Sequence, residues 1–398
     1  MTDTQRLCLW IYAILIGIWP IRYVALIFIF RKLHRLTPSS PRFMGPHFPL
    51  VSAMIPAKDE EGMLAACLAS VQAQSYPNFE ILIVDDRSTD RTPEIARKIA
   101  ENDPRARVIT ITDLPAGWTG KTHGLHVAAQ EAKGDWFWFL DADTLHEPDS
   151  LSIVMEYARR ENASLASLLP EMRCESFWEM VTQPLAGIVL MQSFPLFKVN
   201  DDRNKLAFAN GQYILIDRPA YEAAEGHISV KDKFVEDIHL ARHVKALGLP
   251  IRTAVAQGIG STRMYSSLPG LVRGWSRILY DALDRNPWRL AWKALDPLIF
   301  SQSAHLALFV ALILLATSGG PFAWWLLGLS VWQHVATILV LDKLYRESVR
   351  DRASVLWYPL AGLVIDVIVY RAIKMCLTGK VTWRGTAYQK VATVEQSV

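Results

Sequence analysis

The chain has 398 residues, of which 51% are hydrophobic and 20% charged, with a positive mean hydropathy of +0.15. That balance fits one sizeable globular domain plus a membrane part rather than two soluble domains. A net charge of +3, with no basic stretch interleaved with aromatics, gives no nucleic-acid face. Cys8, Cys67, Cys174 and Cys376 show neither metal-ligand spacing nor a disulfide framework, so a reduced, cytosol-facing catalytic domain is expected.

Residues 7–30 are apolar and long enough to span a bilayer, interrupted by Arg22 and closed by Arg31, Lys32, His34 and Arg35. Positive charge after the segment marks an anchor and places the adjoining domain in the cytoplasm. The predicted domains are an anchor at 1–35, a Pro-rich linker at 36–50 and an α/β catalytic domain at 51–262. An interfacial amphipathic region at 263–296, a C-terminal transmembrane region at 297–377 and a basic tail at 378–398 complete the chain. The candidate spans are 297–318, 321–341 and 353–377. The last holds Pro359, Asp366 and Arg371, so three spans and four both remain open.

In the central part, 51–56 reads as a strand, 63–70 as a helix, and the run to Val84 as a second strand. A helix at 93–100, a strand at 108–112, a helix at 124–132 and a strand at 136–140 continue the alternation. Such a β-α-β-α series predicts a mostly parallel sheet with helices on both faces. The apolar stretch 174–199, broken by Pro184 and Pro195, reads equally as core or as membrane-interface helices. Residues 268–283 look like an amphipathic interface helix.

The chemistry lies in acids at strand ends, where α/β folds bind ligands. Pro56-Ala57-Lys58-Asp59-Glu60-Glu61 offers backbone N–H groups and carboxylates to a nucleoside, or simply charges a helix start. In Asp85-Asp86-Arg87-Ser88-Thr89-Asp90, Ser88 and Asp90 read as caps, whereas the paired acids suggest contacts to a base or ribose. Asp141-Ala-Asp143 can turn two carboxylates towards one hard cation that carries a diphosphate. His146 is close enough to join, although a surface histidine is the plainer reading. Glu236-Asp237 opens a helical run and suits either an acidic cap or a base that takes an acceptor's proton. Arg273 and Arg277, with Trp275 between them, could clamp a diphosphate and stack on a sugar, or simply lie at a membrane surface.

These motifs together resemble family 2 glycosyltransferases of the GT-A fold. The likeness extends to membrane-bound bacterial members associated with hopanoid, ceramide and carotenoid glycosylation. It rests further on Leu114-Pro-Ala-Gly-Trp-Thr-Gly-Lys121, Arg173-Cys-Glu-Ser-Phe177, Asn210-Gly211-Gln212, Gly274-Trp275-Ser276 and Trp383-Arg-Gly385. The resemblance implies a nucleotide-sugar donor, usually a UDP-sugar, and Mg²⁺ or Mn²⁺. It assigns Pro56, Ala57, Glu60 and Asp86 to the nucleoside and Asp143 to the metal. Asp141 falls to metal or donor sugar, Lys121 to the donor's neighbourhood and Asp237 to the general base. The family's processive and ceramide-type members carry a Gln-or-Arg-x-x-Arg-Trp motif where this chain has Arg273-Gly-Trp275-Ser-Arg277, which argues against polymer synthesis. The expectation is a multi-pass inner-membrane enzyme, cytoplasm-facing, that moves one sugar to a lipid hydroxyl. A polyprenyl-phosphate sugar synthase is the nearest alternative. A scaffold or transporter with a retained nucleotide-sugar fold is the non-enzymatic one.

Overall fold

The computed structural model describes residues 1–346, 352–383 and 386–389. The chain divides into two compact units. One comprises Lys32–Arg173 and Ser193–Met264, the other Met1–Arg31, Cys174–Gln192 and Tyr265–Val398.

The first of these is built on an eight-stranded sheet. Its strands are β1 (Arg35–Leu36), β2 (Val51–Ala57), β3 (Phe79–Asp86), β4 (Ala106–Ile111), β5 (Trp136–Phe139), β7 (Leu165–Leu169), β9 (Ile214–Asp217) and β10 (Ile251–Ala256). They lie in the order β1-β10-β7-β9-β5-β2-β3-β4. β9 runs antiparallel to β5 and β7, and every other pairing is parallel. The central strands are apolar on both faces because helices cover both, so Met54, Ile55, Ile81, Leu82 and Trp138 are fully buried. The register sets Ala57 opposite Asp85 and Met54 opposite Phe139, which brings the acids after β2, β3 and β5 to one edge. A second sheet joins β6 (Thr144–His146), β8 (Glu171–Met172) and β11 (Gly260–Thr262), so the backbone just past Asp143 is pinned to Thr262.

The predicted strands 51–56, 108–112 and 136–140 and the strand to Val84 all form. Missed were β7, β9 and β10, whose short apolar runs carry no period that separates strand from buried helix.

The other unit is helical apart from a two-stranded antiparallel sheet, β12 (Lys380–Trp383) with β13 (Thr386–Gln389). Among the described residues three segments are long and apolar enough to cross a membrane: Asp3–Arg31 and Pro321–Tyr345 in this unit, and Phe177–Val199, which from Ser193 on belongs to the first unit. Asp3–Arg31 is two helices, Asp3–Ile16 and Ile18–Arg31, meeting at Gly17. The predicted span 297–318 contains a helix of only 15 residues, Ser303–Thr317, about 22 Å long and short of a bilayer core by itself. The predicted span 353–377 corresponds to the helix Tyr358–Thr378, which is not among the three. The stretch 174–199 supplies a span-length segment where the sequence alone fits core and interface equally. Tyr345 anchors its helix Phe177–Met191 by donating its hydroxyl to the Val181 carbonyl at 2.6 Å.

The interface helix expected at 268–283 forms as Leu268–Ala282, but Leu271, Leu279 and Tyr280 on it are buried. Its Ser276 hydroxyl lies 3.1 Å from the Ile368 carbonyl of Tyr358–Thr378. The exposed amphipathic face belongs to the next helix, Pro287–Pro297, where Trp288 and Trp292 are 82% and 74% exposed. Arg384, Gly385 and Lys390, which belong to the tail motif and the basic tail read from sequence, lie outside the described residues.

Candidate active site

The loops after β2 and β3 are laced together. Ser88 accepts the Asp59 N–H, Thr92 accepts that of Glu60 at 2.7 Å, and Asp90 accepts that of Glu61. Asp59, held at a φ of 53°, accepts the N–H and hydroxyl of Thr89 in return. Ser88 and Asp90 thus tie two loops together, where the sequence suggested helix caps, although Asp90 also accepts the Thr92 N–H. This lacing holds Pro56, Ala57 and Glu60 at the carboxyl edge.

Asp85 and Asp86 are both buried. Asp85 accepts the Ser88 N–H. Asp86 is held by two bonds from the Arg87 guanidinium, at 2.7 and 3.1 Å. Gly120, at the start of the helix Gly120–Glu131, makes room for that pair. A Cβ there would lie 2.0 Å from Asp86 Oδ2. Gly120→Ala is therefore expected to displace the Asp86 carboxylate from its place against Arg87.

The centre of the site is a group of three carboxylates around one ammonium. Lys121 Nζ lies 2.6 Å from Asp141 Oδ1 and 2.7 Å from Glu236 Oε1. Burial works against the Lys121 charge. Asp141, Glu236 and Asp237 more than offset it and hold its pKa above the usual lysine range. Glu236 is buried, which raises its pKa, and the nearby Asp141 charge adds to the rise. Asp237 is half-buried and oriented through both oxygens. Gly211 N–H donates to Oδ2 at 2.6 Å and Ile238 N–H to Oδ1 at 2.8 Å. Burial and the Glu236 charge push Asp237 up to about 7, against the pull of Lys121 and the two N–H groups.

Gly211 sits inside this group. A Cβ there would lie 3.0 Å from Lys121 Nζ, 3.1 Å from Asp237 Oδ2 and 3.3 Å from Glu236 Oε1. Its neighbour Gln212 donates to Thr262 Oγ1 at 3.0 Å, and that hydroxyl lies 3.5 Å from Asp143 Oδ1. The loop Asn210-Gly211-Gln212 therefore links the Asp237 end of the site to the Asp143 end. The motif was legible in sequence, but this role was not.

Behind Asp141, Thr144 donates its hydroxyl to the Asp141 carbonyl at 2.7 Å, and His146 Nε2 lies 2.9 Å from that hydroxyl. His146 is buried among Trp138 and Tyr213, and that burial pulls its pKa down to about 3. It supports the acid-bearing turn from within the core, which corrects the surface reading.

Asp141 and Asp143 present carboxylate oxygens, the hard donors that Mg²⁺ and Mn²⁺ prefer, and two such groups leave coordination positions for a diphosphate. Thr262 and Gln212 brace the Asp143 side, and the two carboxylates are donors of the right kind, although Lys121 occupies Asp141 Oδ1 and no group of three or more acids, histidines or cysteines that could hold a metal forms among the described residues. Arg273, Trp275 and Arg277 belong to the helical unit, on Leu268–Ala282. Arg273 is exposed there, and Trp275, expected as a stacking platform, is only 4% exposed. Trp275 is a packing residue of that unit.

The largely parallel sheet gives the chain a GT-A-like fold. A mannosyltransferase from Pyrobaculum calidifontis, solved with GDP-Man and Mn²⁺, shares the fold with a TM-score of 0.51 and 17% identity. That alignment covers 94% of this chain and 98% of the other. Residues 52–223 match the family model described as Glycosyl transferase family 2. A 4,4'-diaponeurosporenoate glycosyltransferase of Staphylococcus haemolyticus is 29% identical over 58% of this chain and 60% of its own length. An undecaprenyl-phosphate 4-deoxy-4-formamido-L-arabinose transferase of Pseudomonas aeruginosa is 31% identical over 36% of this chain and 42% of its own. The chain thus spans less than two thirds of either relative.

Proposed function

We propose that the protein is a membrane-anchored, inverting glycosyltransferase that moves one sugar from a nucleotide-sugar, a UDP-sugar by preference, to the hydroxyl of a lipid. The observation that carries this reading is the orientation of Asp237. Two backbone N–H groups fix its carboxylate, and its pKa lies near neutrality. Glu236 is engaged by Lys121, which leaves Asp237 as the accessible base. In the reaction it takes the proton of the acceptor hydroxyl as that oxygen bonds to the anomeric carbon. The bond from that carbon to the diphosphate oxygen breaks with its electron pair, through an oxocarbenium-like transition state.

Pro56, Ala57, Glu60 and Asp86 hold the nucleoside at the laced loop pair, and Lys121 keeps Asp141 and Glu236 together beside it. A divalent ion on Asp141 and Asp143, when bound, supplies charge neutralisation for the departing diphosphate. The sequence-derived domain limits, 51–262 for catalysis and 297–377 for the C-terminal membrane region, belong to this proposal, as does the cytoplasmic side. The helices Asp3–Arg31, Phe177–Val199 and Pro321–Tyr345 support membrane residence. A lipid acceptor follows because a substrate confined to the bilayer is met where the enzyme is held.

A base must be unprotonated to act, so transfer is expected to rise from pH 5 to pH 8 with an inflection near the pKa of about 7. A flat profile of kcat/KM over that interval contradicts the assignment. A polyprenyl-phosphate acceptor already presents an anionic oxygen and needs no side-chain base, so transfer that survives Asp237→Asn would favour that acceptor.

A further inference from the structure

The helical unit holds a second group of side chains that the catalytic reading leaves unused. His305 on Ser303–Thr317, His334 on Pro321–Tyr345 and Tyr358 at the start of Tyr358–Thr378 pack ring against ring. Centroid distances are 4.7 Å between the histidines, 5.4 Å from His305 to Tyr358 and 6.2 Å from His334 to Tyr358. His305 Nδ1 lies 3.0 Å from the Ser301 carbonyl, and His334 Nδ1 lies 2.8 Å from that of Ser330. A carbonyl only accepts, so each Nδ1 carries the hydrogen, and in the tautomer with Nδ1–H alone Nε2 is an acceptor. The Tyr358 hydroxyl belongs to a residue 2% exposed and has no partner among the described residues.

One turn along the same seam, Gln302 packs against Gly362, where a Cβ would lie 2.7 Å from its Nε2. That amide nitrogen and the Ser301 hydroxyl are also buried without partners among the described residues. Both stand on or beside a widened helical turn, Leu298–Gln302, just after Pro297. Such turns re-aim side chains and recur at functional sites. Unpaired polar atoms at helix crossings in an apolar setting carry a desolvation cost that a polar ligand would offset.

We propose that this seam binds the uncharged, hydroxyl-bearing end of a membrane lipid. The lipid hydroxyl donates to a histidine Nε2 and accepts from the Tyr358 hydroxyl, with Gln302 as a second donor. The unpartnered phenol, amide and hydroxyl are uncharged hydrogen-bonding groups, which match a neutral hydroxyl better than a phosphate. The proposal rests on the membrane reading above and specifies the lipid's chemistry.

The test uses the full chain in detergent micelles with three photoreactive probes of equal length: a long-chain alcohol, the corresponding alkane and the alcohol's monophosphate ester. Peptides containing residues 301–305 and 358–362 are expected to be labelled most by the alcohol. Tyr358→Phe removes the hydroxyl alone, and His334→Phe keeps an aromatic ring but removes both imidazole nitrogens, including the Nδ1 beside the Ser330 carbonyl. Each is expected to lower alcohol labelling about tenfold and leave alkane labelling unchanged. Equal labelling by alcohol and alkane, or unaltered alcohol labelling in both variants, would overturn the proposal, with water then occupying the seam. Preferred labelling by the phosphate ester would overturn its neutral-headgroup chemistry. Carbonate extraction of host membranes tests the underlying reading separately. Release of the protein would contradict membrane residence whatever the labelling shows.

Discussion

Asp237→Asn is expected to lower kcat by about 10²–10⁴-fold, the range that general-base catalysis supplies, while nucleotide-sugar affinity stays within about threefold. On the proposed roles the loss falls on kcat, because Asp237 would act on the acceptor proton while Pro56, Ala57, Glu60 and Asp86 would hold the donor nucleoside. The substitution is not silent structurally. Both carboxylate oxygens accept an N–H, from Gly211 and from Ile238, so in either orientation the new amide turns its NH₂ towards one of them. Asp237→Ala removes that conflict and leaves both N–H groups to water. Loss of transfer in both variants, with the melting temperature of the alanine form near wild type, assigns the effect to the missing base. Near-normal turnover in either would sink the assignment and favour an acceptor that arrives already ionised.

Lys121→Met is expected to be the most destabilising single change in the site. Lys121 and Glu236 are only 17% and 5% exposed in their side chains and lie 2.7 Å apart. Deleting the ammonium leaves Glu236 buried beside Asp141 and Asp237 with no cation. Breaking a buried pair in this way costs about 3–5 kcal/mol, towards the lower end here because Lys121 retains some solvent. Denaturant titration of the full chain in detergent measures it. The double variant Lys121→Met, Glu236→Gln removes both charges and is expected to recover more than half of the loss. A single variant as stable as wild type would show that the ammonium is not what holds the three acids together.

The carboxyl edge was legible because its signals are local. Apolar runs end in Asp85-Asp86 and Asp141-Ala-Asp143, and a buried parallel strand delivers the residues at its C-terminal end to that edge. Glu236 and Asp237 could be singled out, but their division of labour could not. Glu236 is set by Lys121, more than a hundred residues away in sequence, and Asp237 by the Gly211 N–H. Such pairings are tertiary, and no spacing encodes them. The antiparallel β9 escaped for a related reason: four residues, Ile214–Asp217, are too few for a period, and strand direction has no local signature.

The helical unit misled in the opposite way. Arg273, Trp275 and Arg277 have the look of a ligand-facing patch, yet the helix turns Trp275 into its own unit's core. In the sequence His305 and His334 are simply parts of apolar spans, because hydropathy averaging hides single polar residues that helix packing brings together.

The central claim, sugar transfer from a nucleotide-sugar to a lipid hydroxyl, is tested most directly by nucleotide release from the purified protein. UDP-glucose, UDP-galactose, UDP-GlcNAc and GDP-mannose would be offered in turn with total host lipid, in Mg²⁺, Mn²⁺ or EDTA, and the lipids read by mass spectrometry. The expected result is nucleoside diphosphate release that EDTA abolishes, matched by a lipid heavier by one hexose or N-acetylhexosamine unit. A folded protein that binds none of these donors, with or without metal, would contradict the claim.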